Sequence, residues 1–193
     1  LTLRQLEKLT AKEDGYHAKL VSFDQYLEEA KRLHQKLLIE IKTTAKDSKK
    51  MLQRFNQKYG KTILKNAYQV QSLDYRVVEG LHLINPRLVV FYIQPYNFTY
   101  PQSVASGYSM EYSTLNSDFI WQAHLQDRPV YAWTVNDEKL MKKMMYQQVD
   151  GLITDRVDLA KKAIKSFQKD ASYATRILNY IVVLHLSKNF ESA

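Results

Sequence analysis

The chain has 193 residues, 45% hydrophobic and 25% charged, enough for one substantial core and too few to require two. It contains no Cys, which excludes a disulfide scaffold, a thiol nucleophile and a Cys-ligated zinc site. The formal charge of +8 is regional, because residues 1–66 hold 15 Lys and Arg against 8 Asp and Glu. Much of that excess lies on polar helix faces, as in "AKDSKKMLQRFNQK", with no nucleic-acid motif or arginine-rich arm, so nucleic acid is not an expected partner. Solvated surface is the first reading, and attraction to an anionic membrane or cell-wall surface the second. No apolar run approaches the length of a membrane span and no signal-peptide pattern opens the chain. The first residue is Leu1 rather than Met, which suggests processing or an internal piece of a longer protein.

Ser22 and Gln25 have the spacing of a capping box, and Phe23, Tyr26, Leu27, Ala30 and Leu33 then form one helical stripe. The stripe leads into "LLIEIK", Leu37 to Lys42, which reads as a strand. A helix from about Lys46 to Tyr59 follows, with Gly60 in the position of a C-terminal cap. "AYQVQS" reads as a strand, "LDYRVVEGLHLIN" as a helix stopped near Pro86, and "RLVVFYI" as the next strand. "GYSMEYS", "VYAWTVN" and "DGLITD" are three further strands, each followed by a helix, the last over about 157–168.

This alternation predicts six strand–helix units, with parallel strands ending at Lys42, Ser72, Ile93, Glu111, Trp133 and Thr154. An open doubly wound sheet lacks support, since no strand is followed by a Gly-rich phosphate loop and Gly totals 5. Polar residues gather at strand C-terminal ends, where a (β/α)8 TIM-type barrel places its active site. The expected fold is therefore such a barrel, with about six of its eight units present.

Within "LLIEIK", Glu40 and Lys42 share one strand face while Ile39 and Ile41 share the other. Taken alone, the pair reads either as a buried ion pair or as two members of a site.

"LLIEIK", "QVQSLD", "VYAWTVND" and "VDGLITDRVDLAKKAI" together resemble the glycerophosphodiester phosphodiesterase family in order and approximate spacing. "YSMEYS" looks like its membrane-anchored bacterial branch. The resemblance covers roughly residues 1–168. It implies a barrel that cleaves a glycerophosphodiester to glycerol 3-phosphate and an alcohol, using a divalent cation, Ca2+ or Mg2+, and two histidines.

On that resemblance Glu40 is a hard oxygen ligand for the metal and Lys42 meets a phosphate oxygen. Trp133 walls the pocket, and Asn136 donates to a phosphate or hydroxyl oxygen, with helix capping as its plainer role. Glu111 is an outer metal or substrate contact. Gln71 and Ser72 are expected to hydrogen-bond within the barrel top, and Thr154 and Asp155 to cap the last helix. His17, His34, His82, His124 and His185 lie outside the family's "HRG" and "HD" settings. Both catalytic histidines and a Glu-x-Asp ligand pair are therefore expected upstream of Leu1, leaving this segment alone inactive.

The alternatives are a non-catalytic barrel that binds phosphodiesters or lipid headgroups, and a structural module contacting anionic membrane or cell wall. Residues 169–193 read as an extra amphipathic helix or tail, with Ala174, Ile177, Leu178, Ile181, Val182 and His185 at helical spacing. Unpaired strand edges predict self-association. Location is expected to be membrane-associated or extracytoplasmic through a segment outside this chain, or else cytoplasmic.

Overall fold

The computed structural model describes residues 1–169 apart from 14, 45, 46, 48, 97 and 98. A short helix, α1 (Leu3–Leu6), is followed by an antiparallel hairpin, β1 (Thr10–Glu13) and β2 (Tyr16–Lys19). Helix α2 (Phe23–Arg32) starts at the capping box, with Gln25 N donating to Ser22 Oγ at 3.3 Å and Ser22 N donating to Gln25 Oε1 at 2.8 Å. Then come β3 (Leu38–Glu40), α3 (Lys49–Asn66), β4 (Gln69–Ser72), α4 (Tyr75–Ile84), β5 (Val90–Gln94) and β6 (Gly107–Glu111). The order closes with α5 (Ser117–His124), β7 (Val130–Trp133), α6 (Glu138–Tyr146), β8 (Gly151–Leu152) and a helix over residues 157–169, here α7. Among the described residues β5 and β6 are joined without a helix.

Strands β3 to β8 form one parallel sheet in sequence order, every neighbour being the next strand along the chain. Alternation along each strand sorts the side chains into two layers. Val70, Val90, Tyr108, Met110, Val130 and Ala132 are buried in the core that also takes Val77, Leu81, Phe119, Ile120, Met141 and Met144 from the helices. Burying each larger one stabilises the fold by about 1.5–3 kcal/mol.

The other face holds Gln69, Gln71, Phe91, Ser109 and Tyr131, and it curls on itself. Tyr131 Oη donates to Gln69 Oε1 at 3.1 Å from β7 to β4, Ser109 Oγ donates to Gln71 Oε1 at 2.7 Å, and the Phe91 and Tyr131 rings stack at 4.5 Å. Gly107 permits that curl, since a Cβ there would lie 2.6 Å from the Phe91 ring and 2.7 Å from the Pro129 carbonyl. The result is a half-barrel, the expected (β/α)8 architecture with about six of eight units. Its edge strands β3 and β8 do not pair with each other, yet Leu38 and Gly151 line one cleft of about 600 Å3.

Three expectations are corrected. Gly60 does not end a helix, because α3 runs on to Asn66 and Gly60 is buried within it. Its missing side chain leaves room for Asn56, whose Oδ1 accepts from Asn85 Nδ2 at 2.8 Å. Strand β3 is shorter than Leu37–Lys42, with Leu38 and Ile39 half-buried and Glu40 exposed. Asp155 does not cap α7; its carboxylate accepts from Asn136, while Thr154 Oγ1 does accept from Arg156 N at 2.9 Å. The expected helix at Ala174–His185 lies outside the described residues.

Candidate functional site

Parallel strands point every C-terminal end the same way, and there Glu40, Gln71, Leu73, Ile93, Trp133, Thr134 and Ile153 line a cavity of about 270 Å3. The structure thus brings Glu40 and Trp133 together from strands at opposite sides of the curl. The Trp133 Nε1–H is buried without a hydrogen-bond partner among the described residues. An orphaned donor of this kind costs about 1–3 kcal/mol unless an acceptor reaches it.

A second cavity, about 550 Å3, is lined by Glu40, Lys42, Thr43, Ser72, Asp74 and Arg76 among others. Glu40 is the carboxylate common to the two. Lys42 Nζ lies 3.9 Å from Glu40 Oε1, with the Lys42 side chain 83% exposed and that of Glu40 38%. This is an open pair at a rim, not the buried ion pair that spacing alone allowed.

The β3 rim is fixed by the expected hydrogen bonding of Ser72 and by Thr43 and Asp74, which sequence reading missed. Ser72 Oγ donates to the Ile41 carbonyl at 2.7 Å, and Thr43 Oγ1 donates to Asp74 Oδ2 at 2.6 Å. Asp74 also caps α4 by accepting from Arg76 N at 3.0 Å, and it pairs with the Arg76 guanidinium at 2.6 Å. Arg76, helped by Thr43, holds the Asp74 carboxyl well below the usual carboxylate range. The available signal was "SLDYR", an Asp directly before an apolar helical run. Thr44 N and Oγ1 donate to Asp47 Oδ2 at 2.6 and 3.0 Å, which likewise lowers the Asp47 carboxyl.

The remaining candidates lie on the same face of the molecule but line neither cavity. Glu111 pairs in register with Trp133, and its Oε2 accepts from Ser113 N at 2.8 Å and from Ser113 Oγ. The Asn136 amide joins the ends of β7 and β8: its Oδ1 accepts from Thr154 Oγ1 at 2.8 Å and Asp155 N at 2.9 Å, and its Nδ2 donates to Asp155 Oδ2 at 2.9 Å. Helix α6 is capped by Asp137 instead.

No described histidine lines either cavity. His17 is in β2, His34 follows α2, His82 is in α4, and His124 pairs with Asp150 at 2.9 Å near the opposite ends of the strands; His185 lies outside the described residues. Among the described residues no three His, Cys, Asp or Glu side chains converge on a metal position. Ca2+ takes six to eight oxygen ligands, so Glu40 offers one donor and the described residues do not by themselves fit the ion.

The model of the Glycerophosphoryl diester phosphodiesterase family matches residues 1–159. The chain belongs to that family. Solved structures agree on the fold. A Parabacteroides distasonis glycerophosphodiester phosphodiesterase is 22% identical with a TM-score of 0.69, covering 88% of this chain and 72% of its own. An Oleispira antarctica phosphodiesterase in complex with the product sn-glycerol-3-phosphate is 17% identical with a TM-score of 0.70, covering 85% and 70%. A Silicibacter pomeroyi protein named for the same phosphodiesterase is 16% identical with a TM-score of 0.70, covering 80% of this chain. The chain spans 59% of that last protein's length. No curated protein matches the chain. Among the described residues no helix is long and apolar enough to cross a membrane.

Proposed function

We propose that this glycerophosphoryl diester phosphodiesterase family chain forms the substrate-binding part of a hydrolase that cleaves glycerophosphodiesters to glycerol 3-phosphate and an alcohol. The observation that carries the reading is the convergence of Glu40 and Trp133 in one strand-end cavity with Lys42 on the adjoining rim. The Lys42 ammonium meets a phosphate oxygen and offsets charge that builds as the diester breaks. Trp133 walls the glycerol or alcohol part and offers its free indole N–H to an oxygen acceptor. Asn136 and Glu111 lie outside both cavities and enter this reading only as outer contacts, Asn136 through the amide N–H that Asp155 does not take.

A divalent cation, Ca2+ or Mg2+, belongs to this reading, with Glu40 as one ligand; when bound it would supply charge neutralisation at the phosphate. No described histidine lines either cavity and Glu40 is one ligand, so on this reading turnover needs an acid, a base and metal ligands beyond the described residues. The "YSMEYS" likeness suits a membrane-associated or extracytoplasmic enzyme.

The second reading, a non-catalytic barrel that binds phosphodiesters, is favoured by the absence of any described histidine from the two cavities. One assay separates them: glycerol 3-phosphate release from glycerophosphocholine by the full-length protein with added Ca2+ or Mg2+. Lys42→Ala should lower turnover by about 100-fold or more, and Glu40→Gln should raise the metal concentration needed, both with an unchanged melting temperature. Near-normal activity in both variants overturns the site assignment; binding of the diester without release by the wild type selects the second reading.

A further inference from the structure

The register of the β1–β2 hairpin sorts its residues into two faces. Thr10 pairs with Lys19 and Lys12 with His17, and these four share one face. Ala11 pairs with Ala18 and Glu13 with Tyr16 on the other face, and Leu20 N donates to the Leu9 carbonyl at 3.4 Å, which extends that face by a Leu9–Leu20 pair. One side is therefore basic and the other is Leu9, Ala11, Tyr16, Ala18 and Leu20 with one carboxylate. All of these are exposed, including Tyr16 at 81%, Leu9 at 46% and Leu20 at 41%. Val21 beside them and Leu1 and Leu3 of the preceding turn are exposed as well.

An amphipathic ribbon that buries neither face lacks the packing that normally stabilises two strands in water. Its occupant has to offer apolar surface and negative charge at once, and the surface of an anionic lipid bilayer does both. Topology points the ribbon the right way. It leads into the N-terminus of α2, and α2 runs back to the start of β3, so chain order sets the junction of ribbon and α2 toward the strand C-terminal ends.

We propose that strands β1 and β2, with Leu1, Leu3, Leu9, Leu20 and Val21 beside them, are an interfacial docking element. The Leu9, Tyr16 and Leu20 face enters the headgroup boundary, Lys12, His17 and Lys19 meet lipid phosphates, and the mouth of the half-barrel is held toward the bilayer. The proposal concerns binding and stands whether or not the protein hydrolyses diesters.

The test is flotation of the protein with phosphatidylcholine vesicles, with and without 30 mol% phosphatidylglycerol as the composition chosen. Binding should require the anionic lipid. Lys12→Gln and Lys19→Gln should each weaken partitioning about fivefold, and roughly thirtyfold together. Tyr16→Ser with Leu20→Ser should weaken it at least tenfold. Because the chain lacks Cys, Tyr16→Cys carrying an environment-sensitive fluorophore reports insertion directly, with Lys139→Cys on α6 as the control. A blue shift at residue 16 and none at residue 139 is the expected result. No vesicle binding, binding unmoved by these substitutions, or binding lost with the lysines but indifferent to Tyr16 and Leu20 would each overturn the proposal, the last by reducing the ribbon to a general polyanion site.

Discussion

Asp74 ties the candidate site to the scaffold, and removing its carboxylate should cost stability in three separable parts. Its Oδ1 caps α4 through Arg76 N, a bond worth about 1 kcal/mol. Its Oδ2 accepts from Thr43 Oγ1 at 2.6 Å in a half-buried setting, worth about 1–1.5 kcal/mol. The Arg76 side chain is 64% exposed, so that ion pair is screened and adds little. Asp74→Ala should therefore destabilise by about 2–3 kcal/mol and lower Tm by roughly 5–10 °C. Asp74→Asn keeps one acceptor, enough for the cap on Arg76 N, but turns the atom facing Thr43 Oγ1 into an N–H donor, so it should cost less than Asp74→Ala, about 1–1.5 kcal/mol. The pH dependence has a definite sign. Because the folded pKa is depressed, Asp74 contributes fully above its unfolded value of about 4, and the contribution fades as the pH falls toward the lower folded value. The gap between wild type and Asp74→Asn should therefore narrow from pH 5 downward in thermal or urea unfolding. Equal losses for Ala and Asn, or a gap that widens on acidification, would refute the assigned roles.

Gly107→Ala should cost about 1–3 kcal/mol by pressing a methyl against the Phe91 ring and the Pro129 carbonyl, measured as a drop in urea midpoint. Asn136→Ala removes three hydrogen bonds between the β7 and β8 ends, and should lower stability by about 1 kcal/mol with faster amide exchange at Asp155. The unpaired edges of β3 and β8 should make the isolated chain self-associate with rising concentration, read by light scattering after size exclusion; a monodisperse monomer throughout would count against exposed edges.

The sheet was legible because its strands carry apolar residues on both faces and its crossover helices carry one stripe each. Val130 and Ala132 face helices while Tyr131 and Trp133 face inward, and such a run has no other stable home than a parallel sheet. The β1–β2 hairpin was not anticipated although Asp-Gly marks a two-residue turn, with Gly15 at φ 82° supplying the left-handed conformation. Its strands bury nothing, so alternation carried no burial signal. Gly60 misled for the opposite reason. Its cause is the Asn56–Asn85 contact, which comes from another element and leaves no mark in the local pattern. Of the site, the nearness of Glu40 and Lys42 was legible from their spacing of two even though β3 ends at Glu40, whereas the Thr43–Asp74 bond joins residues 31 apart.

The electrostatics of the rim connect fold to chemistry. At about 4 Å, two unit charges attract by about 1 kcal/mol in water and about 4 kcal/mol at an effective dielectric of 20. Lys42 lies nearer the first regime, because its side chain is 83% exposed and β3 is an edge strand with open space beside it. The cleft bounded by Leu38, Gly151, Ala160 and Ile164 is that space, and Ile164 is still 40% exposed along it. Protein placed there would bury Ile164 and withdraw water from Glu40 and Lys42 in one step, since Leu38 and Glu40 lie on the same face of the same strand. The hydrophobic gain at the cleft and the strengthened charges at the rim are thus one event. On the proposed function, closing the sheet would stabilise the fold and raise the field that a phosphate meets, so structural completion and turnover should appear together as the barrel closes.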